Sequence, residues 1–206
     1  MRIYHCLFET YGPQEWWPGE TPLEIMIGAV LTQNTAWSNV ERAIVNLKED
    51  GLLTLEALLQ LTPAELAERI RPAGYFNVKA RRLLSLCRFL ADNPVVERLP
   101  LAVLRERLLG VHGIGPETAD DILLYAFERP VFVIDAYTRR LFSRLGLVEA
   151  RVSYETLRRG FEQALGPQTG LYNEFHALIV HHAKSSCRTR PQCATCCLRG
   201  MCKQRL

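Results

Sequence analysis

An all-α fold is predicted from three features of this sequence. Apolar residues recur at helical spacing along almost the whole chain, helix-start signals stand in front of them, and strand signals are nearly absent. Thr21-Pro22-Leu23-Glu24 is a capping box with proline at the first helical position, and Ile25, Met26, Ala29 and Val30 follow it. Thr62-Pro63-Ala64-Glu65 repeats the signal ahead of Leu66 and Ile70. From about Asn77 to Ala91, the residues Ala80, Leu83, Leu84, Cys87 and Leu90 fall on one helical face. Further helices are expected near 38–49, 54–60, 100–109, 116–127, 136–145, 153–165 and 171–185. Val131-Phe132-Val133-Ile134 is the one β-like run and is too short to build a sheet. Gly12-Pro13, Pro18-Gly19 and Gly166-Pro167 mark loops.

Composition narrows the function classes. With 206 residues, 48% of them hydrophobic and 23% charged, the chain can bury a core as one or two small domains. Gly 13 and Pro 11 exclude collagen-like and low-complexity chains. No apolar run reaches membrane-spanning length, so no membrane partner is expected. Met1–Gly12 has no charged and apolar leader pattern, so a cytoplasmic, reducing location is expected. The net charge of +3 permits a nucleic-acid partner without arguing for one. Beyond Glu174 the chain has no acidic residue, while Lys184, Arg188, Arg190, Arg199, Lys203 and Arg205 are basic. A solvated tail and a phosphate-facing surface both fit that run.

Five of the seven cysteines, Cys187, Cys193, Cys196, Cys197 and Cys202, crowd into the last twenty residues. In a reducing compartment such clustering points to a metal before disulfides. Cys187-x5-Cys193-x2-Cys196-x5-Cys202 supplies four thiolates on short loops, compatible with tetrahedral zinc or with a cubane cluster. Cys197 is a spare that could compete as a ligand, and Cys6 and Cys87 read as structural. His176, His181 and His182 show no spacing that converts into a metal site.

Leu109-Gly110-Val111-His112-Gly113-Ile114-Gly115-Pro116-Glu117-Thr118-Ala119 reads as a helix end, a tight glycine turn and a new helix. Amides at a helix N-terminus form an anion site that can hold a DNA phosphate without reading a base. Taken alone, the pattern is equally a plain αα turn. Further on, Val133-Ile134-Asp135-Ala136-Tyr137-Thr138-Arg139-Arg140 places one carboxylate at the expected N-cap of the next helix.

Together these two segments resemble the helix–hairpin–helix and Gly/Pro-Asp signature of the endonuclease III superfamily of DNA glycosylases, and the resemblance runs from Glu15 to Cys202. It implies two helical domains with a DNA-binding cleft between them. One would be a six-helix domain over 22–131 carrying the hairpin, the other a discontinuous iron–sulfur domain from 1–21 and 132–206. It implies a 4Fe–4S cluster rather than zinc on Cys187, Cys193, Cys196 and Cys202, although the family's first gap is usually one residue longer. Glycosidic cleavage moves no electrons, so such a cluster would be structural, holding Arg188–Arg199 against the DNA backbone. It also implies that Gly113, Ile114, Gly115 and Thr118 hold DNA, that Gln33 fills the gap left in the duplex, and that double-stranded DNA with damaged bases is the partner of a monomeric enzyme.

By the same resemblance Asp135 is the catalytic carboxylate, stabilising an oxocarbenium-like sugar or activating water. Glu117 stands where the bifunctional members carry a Schiff-base lysine. Glutamate cannot attack as an amine, which argues for a monofunctional, water-using glycosylase. Glu15-Trp16-Trp17-Pro18 and Gln33-Asn34-Thr35-Ala36-Trp37 hold all three tryptophans. Tryptophans commonly pack cores. These two runs, however, resemble the 3-methyladenine DNA glycosylase branch, which also carries the glutamate, and so imply that Trp16, Trp17, Pro18 and Trp37 shape the base pocket. An alkylated purine is cationic and attracted to π-faces by ~0.5–2 kcal/mol, and a negative Glu117 would add to that. Pro116 lacks an N–H, so the hairpin offers one phosphate donor fewer. Two rivals stand beside this reading. One is a glycosylase for oxidised pyrimidines or mismatched bases; the other is a non-catalytic DNA-binding or redox-sensing iron–sulfur protein.

Overall fold

The computed structural model describes residues 1–149 and 151–203, so Arg205 lies outside the described residues. The α-helices in chain order are α1 (Arg2–Tyr11), α2 (Pro22–Leu31), α3 (Trp37–Glu49), α4 (Leu55–Gln60), α5 (Pro63–Arg69), α6 (Phe76–Asp92), α7 (Leu101–Leu109), α8 (Pro116–Asp121), α9 (Ala136–Leu145), α10 (Tyr154–Leu165) and α11 (Thr169–Ser185). The described residues hold no strand, as the all-α reading expects. None of their helices is long and apolar enough to cross a membrane. Two compact units result: residues 18–129, and residues 1–17 with the chain from Pro130 onward.

In the unit over 18–129, α2 is the buried hub. It is apolar almost all round, as a helix enclosed by neighbours must be. It packs on α3, α6, α8 and the segment Ile122–Ala126. Thr21 caps it by accepting from the Glu24 N–H, with Pro22 opening the first turn. The Glu24 carboxylate accepts from the Glu20 N–H rather than from Thr21, and pairs with Lys48 at 2.9 Å. At α5 the capping box is complete, each of Thr62 and Glu65 bonding the other's backbone. Helix α6 buries Ala80, Leu83, Leu84 and Cys87, while Leu90 is only half-buried. The expected helix over 116–127 divides: α8 is α-helical and Ile122–Ala126 opens into a wider π-turn, all five residues buried.

In the other unit α11 packs against α1 and α9. Phe132 stacks on Phe161 at 4.2 Å, with Tyr172 and Phe175 edge-on to it. The β-like run Val131–Ile134 is thus a buried connector that fills the core and leads straight into Asp135. Helix α1 had no counterpart in the sequence reading. It has no side-chain cap, but Ile3, Tyr4, Leu7, Phe8 and Tyr11 recur at helical spacing, a signal that could have revealed it.

Candidate functional site

Asp135 is the N-cap of α9. Its Oδ1 accepts from the Thr138 N–H at 2.6 Å, and its Oδ2 lies 3.6 Å from His176 Nε2, on α11. The Asp135 and His176 side chains are 11% and 7% exposed, so water screens the pair weakly. Burial pushes the Asp135 carboxyl up. The His176 imidazole beside it and the Thr138 N–H outweigh that and hold it below the ordinary carboxylate value. The site therefore presents an ionised carboxylate out of bulk water. Arg139 and Arg140, on the same helix, donate elsewhere: Arg139 to Val152 O, Arg140 to the carbonyls of Cys187 and Ala183.

The other end of α9 grips the cysteine loop. Arg144 donates to the carbonyls of Cys187, Arg188 and Thr189, and Nη1 lies 3.5 Å from Cys187 Sγ. Cys187, Cys193, Cys196 and Cys202 line one cavity with Leu141, Leu145, Leu198 and His182. Cys197 is not in that lining; its carbonyl accepts from the Cys6 thiol. His182 is fully buried and bonds Tyr11 Oη through Nδ1 at 2.8 Å, and its Nε2 lies 3.6 Å from Cys196 Sγ. Burial, then the neighbouring His181, pushes its pKa down to about 4, so it stays neutral. Among the described residues, no three His, Cys, Asp or Glu side chains are gathered as ligands of a single metal ion. Arg188, Arg190, Arg199 and Lys203 around the loop are exposed.

In the unit over 18–129 the glycine turn follows α7. Gly113 has φ +85°, and a Cβ there would lie 2.2 Å from Arg82 Cγ, so both conformation and space demand glycine. Ile114 is buried and bonds Val111 O through its N–H; Gly115 is the N-cap of α8. Gln33 is drawn to this turn: Nε2 donates to Gly113 O at 3.1 Å and Thr118 Oγ1 at 2.9 Å, while Oε1 accepts from Arg82. Its amide braces the hairpin, and reaching into a duplex would require breaking those bonds. Beneath it, the buried Lys79 Nζ donates to Leu31 O, Thr35 Oγ1 and Ala73 O, fixing the segment that carries Gln33 and Trp37. Burial, then Arg82, pushes Lys79 down to about 8.

Glu117 is exposed in the first turn of α8, favourable for an acid at a helix N-terminus. Trp16 and Trp17 are half-buried, their rings 5.0 Å apart and tilted by 49°, and Pro18 is exposed. Trp37 is half-buried as the first residue of α3. The structure thus joins Gln33, Gly113 and Thr118 in one network, the four cysteines around one cavity, and Asp135 to His176. Lys79, Arg82 and Arg144 were not singled out from the sequence, and neither His176 nor Arg140 was given a role there. Their partners lie far along the chain, and no local spacing announces them.

A Methanocaldococcus jannaschii protein, MJ1434, provisionally named a DNA repair glycosylase, is 45% identical over 98% of this chain and 94% of its own length. The Helicobacter pylori 3-methyladenine DNA glycosylase MagIII, solved bound to 1,N6-ethenoadenine, is 30% identical, with a TM-score of 0.77 over 89% of this chain and 96% of that one. An endonuclease III–DNA complex shares the fold at a TM-score of 0.84 and 23% identity, over 98% and 94% of the two chains. The HhH-GPD family model, described as a superfamily of base excision DNA repair proteins, matches residues 27–167. The chain therefore belongs to the HhH-GPD superfamily of base excision DNA repair proteins.

Proposed function

We propose that this protein is a monofunctional DNA glycosylase that hydrolyses the N-glycosidic bond of alkylated purines, such as 3-methyladenine, in duplex DNA. The observation that carries this reading is Asp135, a buried carboxylate kept ionised at the head of α9, with glutamate rather than an amine at position 117. In the reaction the base leaves with the electron pair of its C1′–N bond, which neutralises the positive charge of the alkylated ring. The Asp135 carboxylate stabilises the resulting sugar cation. Water adds its oxygen lone pair to C1′, and its proton passes to Asp135 and then to solvent. The products are free base and an abasic sugar.

The tryptophans and the likeness to a 3-methyladenine glycosylase support the substrate class. Trp16, Trp17, Pro18 and Trp37 are the proposed walls of the base pocket. Gly113, Ile114, Gly115 and Thr118 are the proposed phosphate grip, braced by Gln33 and Arg82. Glu117 adds negative charge toward a cationic base on this reading.

Four thiols around one cavity suit a 4Fe–4S cluster on Cys187, Cys193, Cys196 and Cys202. When bound, the cluster supplies a covalent cross-link that fixes the basic loop.

The test is release of free base from methylated duplex DNA by the wild type and Asp135→Asn, with no strand-cleaving treatment. Release by the wild type, loss in the variant and an intact strand are expected. No release would transfer the assignment to oxidised pyrimidines or mismatched bases, and retained DNA binding without turnover on any lesion would mark a non-catalytic binder.

A further inference from the structure

We propose that His176 is the positioning residue for the reaction's carboxylate: its Nε2 anchors Asp135 Oδ2 while the helix cap anchors Oδ1. This rests on the reading that Asp135 acts on the sugar. A capping bond alone leaves a carboxylate free to swing about one oxygen. The Thr138 N–H fixes Oδ1 at 2.6 Å, and a second contact on the other oxygen is what sets the plane of the group. His176 is the ionisable side chain that approaches Oδ2 from α11, the helix packed on α9. The charged neighbours on α9 itself, Arg139 and Arg140, are spent on backbone carbonyls. Tyr154 Oη bonds the Ile134 N–H at 3.4 Å, and Glu162 accepts from the Phe132 N–H at 3.1 Å, both upstream of the carboxylate.

The 3.6 Å separation is longer than a hydrogen bond. Contacts of this kind commonly tighten when substrate closes the site. A donor at Nε2 is available in the imidazolium and in the Nε2–H tautomer alike. Buried against it, Asp135 has little water to reorganise around it, so the direction of its charge is set by the fold.

Four proteins decide the matter: wild type, Asp135→Asn, His176→Leu and His176→Gln. The rate of base release is measured under single-turnover conditions on methylated duplex DNA, alongside the Kd for the same duplex. His176→Leu is expected to slow release by roughly 10- to 100-fold, the scale of a misplaced reacting group, with Kd within about twofold. His176→Gln puts an amide N–H near the place of Nε2 and is expected to recover at least about tenfold of that loss. A core-filling role would not distinguish leucine from glutamine in this way. Wild-type speed in His176→Leu, or glutamine no faster than leucine, overturns the proposal while leaving Asp135 in place. An inactive wild type, or a fully active Asp135→Asn, overturns the reading beneath it and this one together. Should the leucine variant melt below the assay temperature, His176→Asn, whose shorter amide cannot reach Oδ2, takes its place with the same expectations.

Discussion

Two buried charges, one in each unit, are handled in opposite ways. Lys79 sits among three oxygens, none of them a carboxylate, and burial drags its pKa down to about 8. Asp135 is as enclosed, yet an imidazole and a cap N–H keep it ionised. Burial opposes charge in both, and the partners decide the outcome. Neutral acceptors use the amine as a brace and tolerate its discharge. A cap N–H and a neighbouring imidazole preserve an anion in a place where water would otherwise be needed. The first is how a fold ties loops together, the second how it keeps a group ready for chemistry.

The comparison can be broken at several points. The largest expected effect is on chemistry: Asp135→Asn keeps the cap and the volume but should lower single-turnover base release by roughly 10²- to 10⁴-fold, with DNA affinity retained. Next comes Lys79→Met, which strips the donor from three acceptors. At pH 10, where the wild-type amine is largely neutral and keeps two N–H donors for those three acceptors, urea unfolding should show a loss of about 1–3 kcal/mol. The folded-state value of about 8 lies below the 10.5 of a free lysine, so between these values the unfolded chain binds more protons. Stability from this group therefore rises with pH across that window, and the gap between wild type and Lys79→Met should widen by up to roughly 3 kcal/mol. A gap independent of pH would show that Lys79 is not the strained charge described here.

Gly113→Ala forces a side chain into φ +85° and against Arg82. It should cost about 1–3 kcal/mol by thermal or urea denaturation and weaken duplex binding in anisotropy titrations. The smallest effect belongs to Thr62→Ala, which removes a surface capping box. It should cost about 1 kcal/mol in the same unfolding assays and leave base release unchanged.

What could be read in the sequence was what is local. Thr21-Pro22 and Thr62-Pro63 start their helices, α6 buries the stripe its spacing dictates, and Asp135 caps α9. Each depends on residues within a turn or two of one another. Less was legible wherever partners come from afar. Gln33 bonds residues 80 and 85 positions away, and Lys79 closes a loop through Leu31, 48 positions distant. The partnership of His176 with Asp135 has no local signature, because histidine on a largely buried helix reads the same whether it packs or positions. The π-turn at Ile122–Ala126 is likewise silent, since its apolar run satisfies either helical pitch.

Helix α9 carries Asp135 at its head and Arg144, with its grip on the start of the cysteine loop, in its last turn. Ten helical residues make a stiff rod of roughly 15 Å. On the proposed reading that rod is a ruler. It sets how far along a strand the basic loop can seize the backbone from the sugar that loses its base, about four base-pair steps at 3.4 Å each. Anything that loosens the loop's hold would weaken the grip on the duplex before it changed how the base is released.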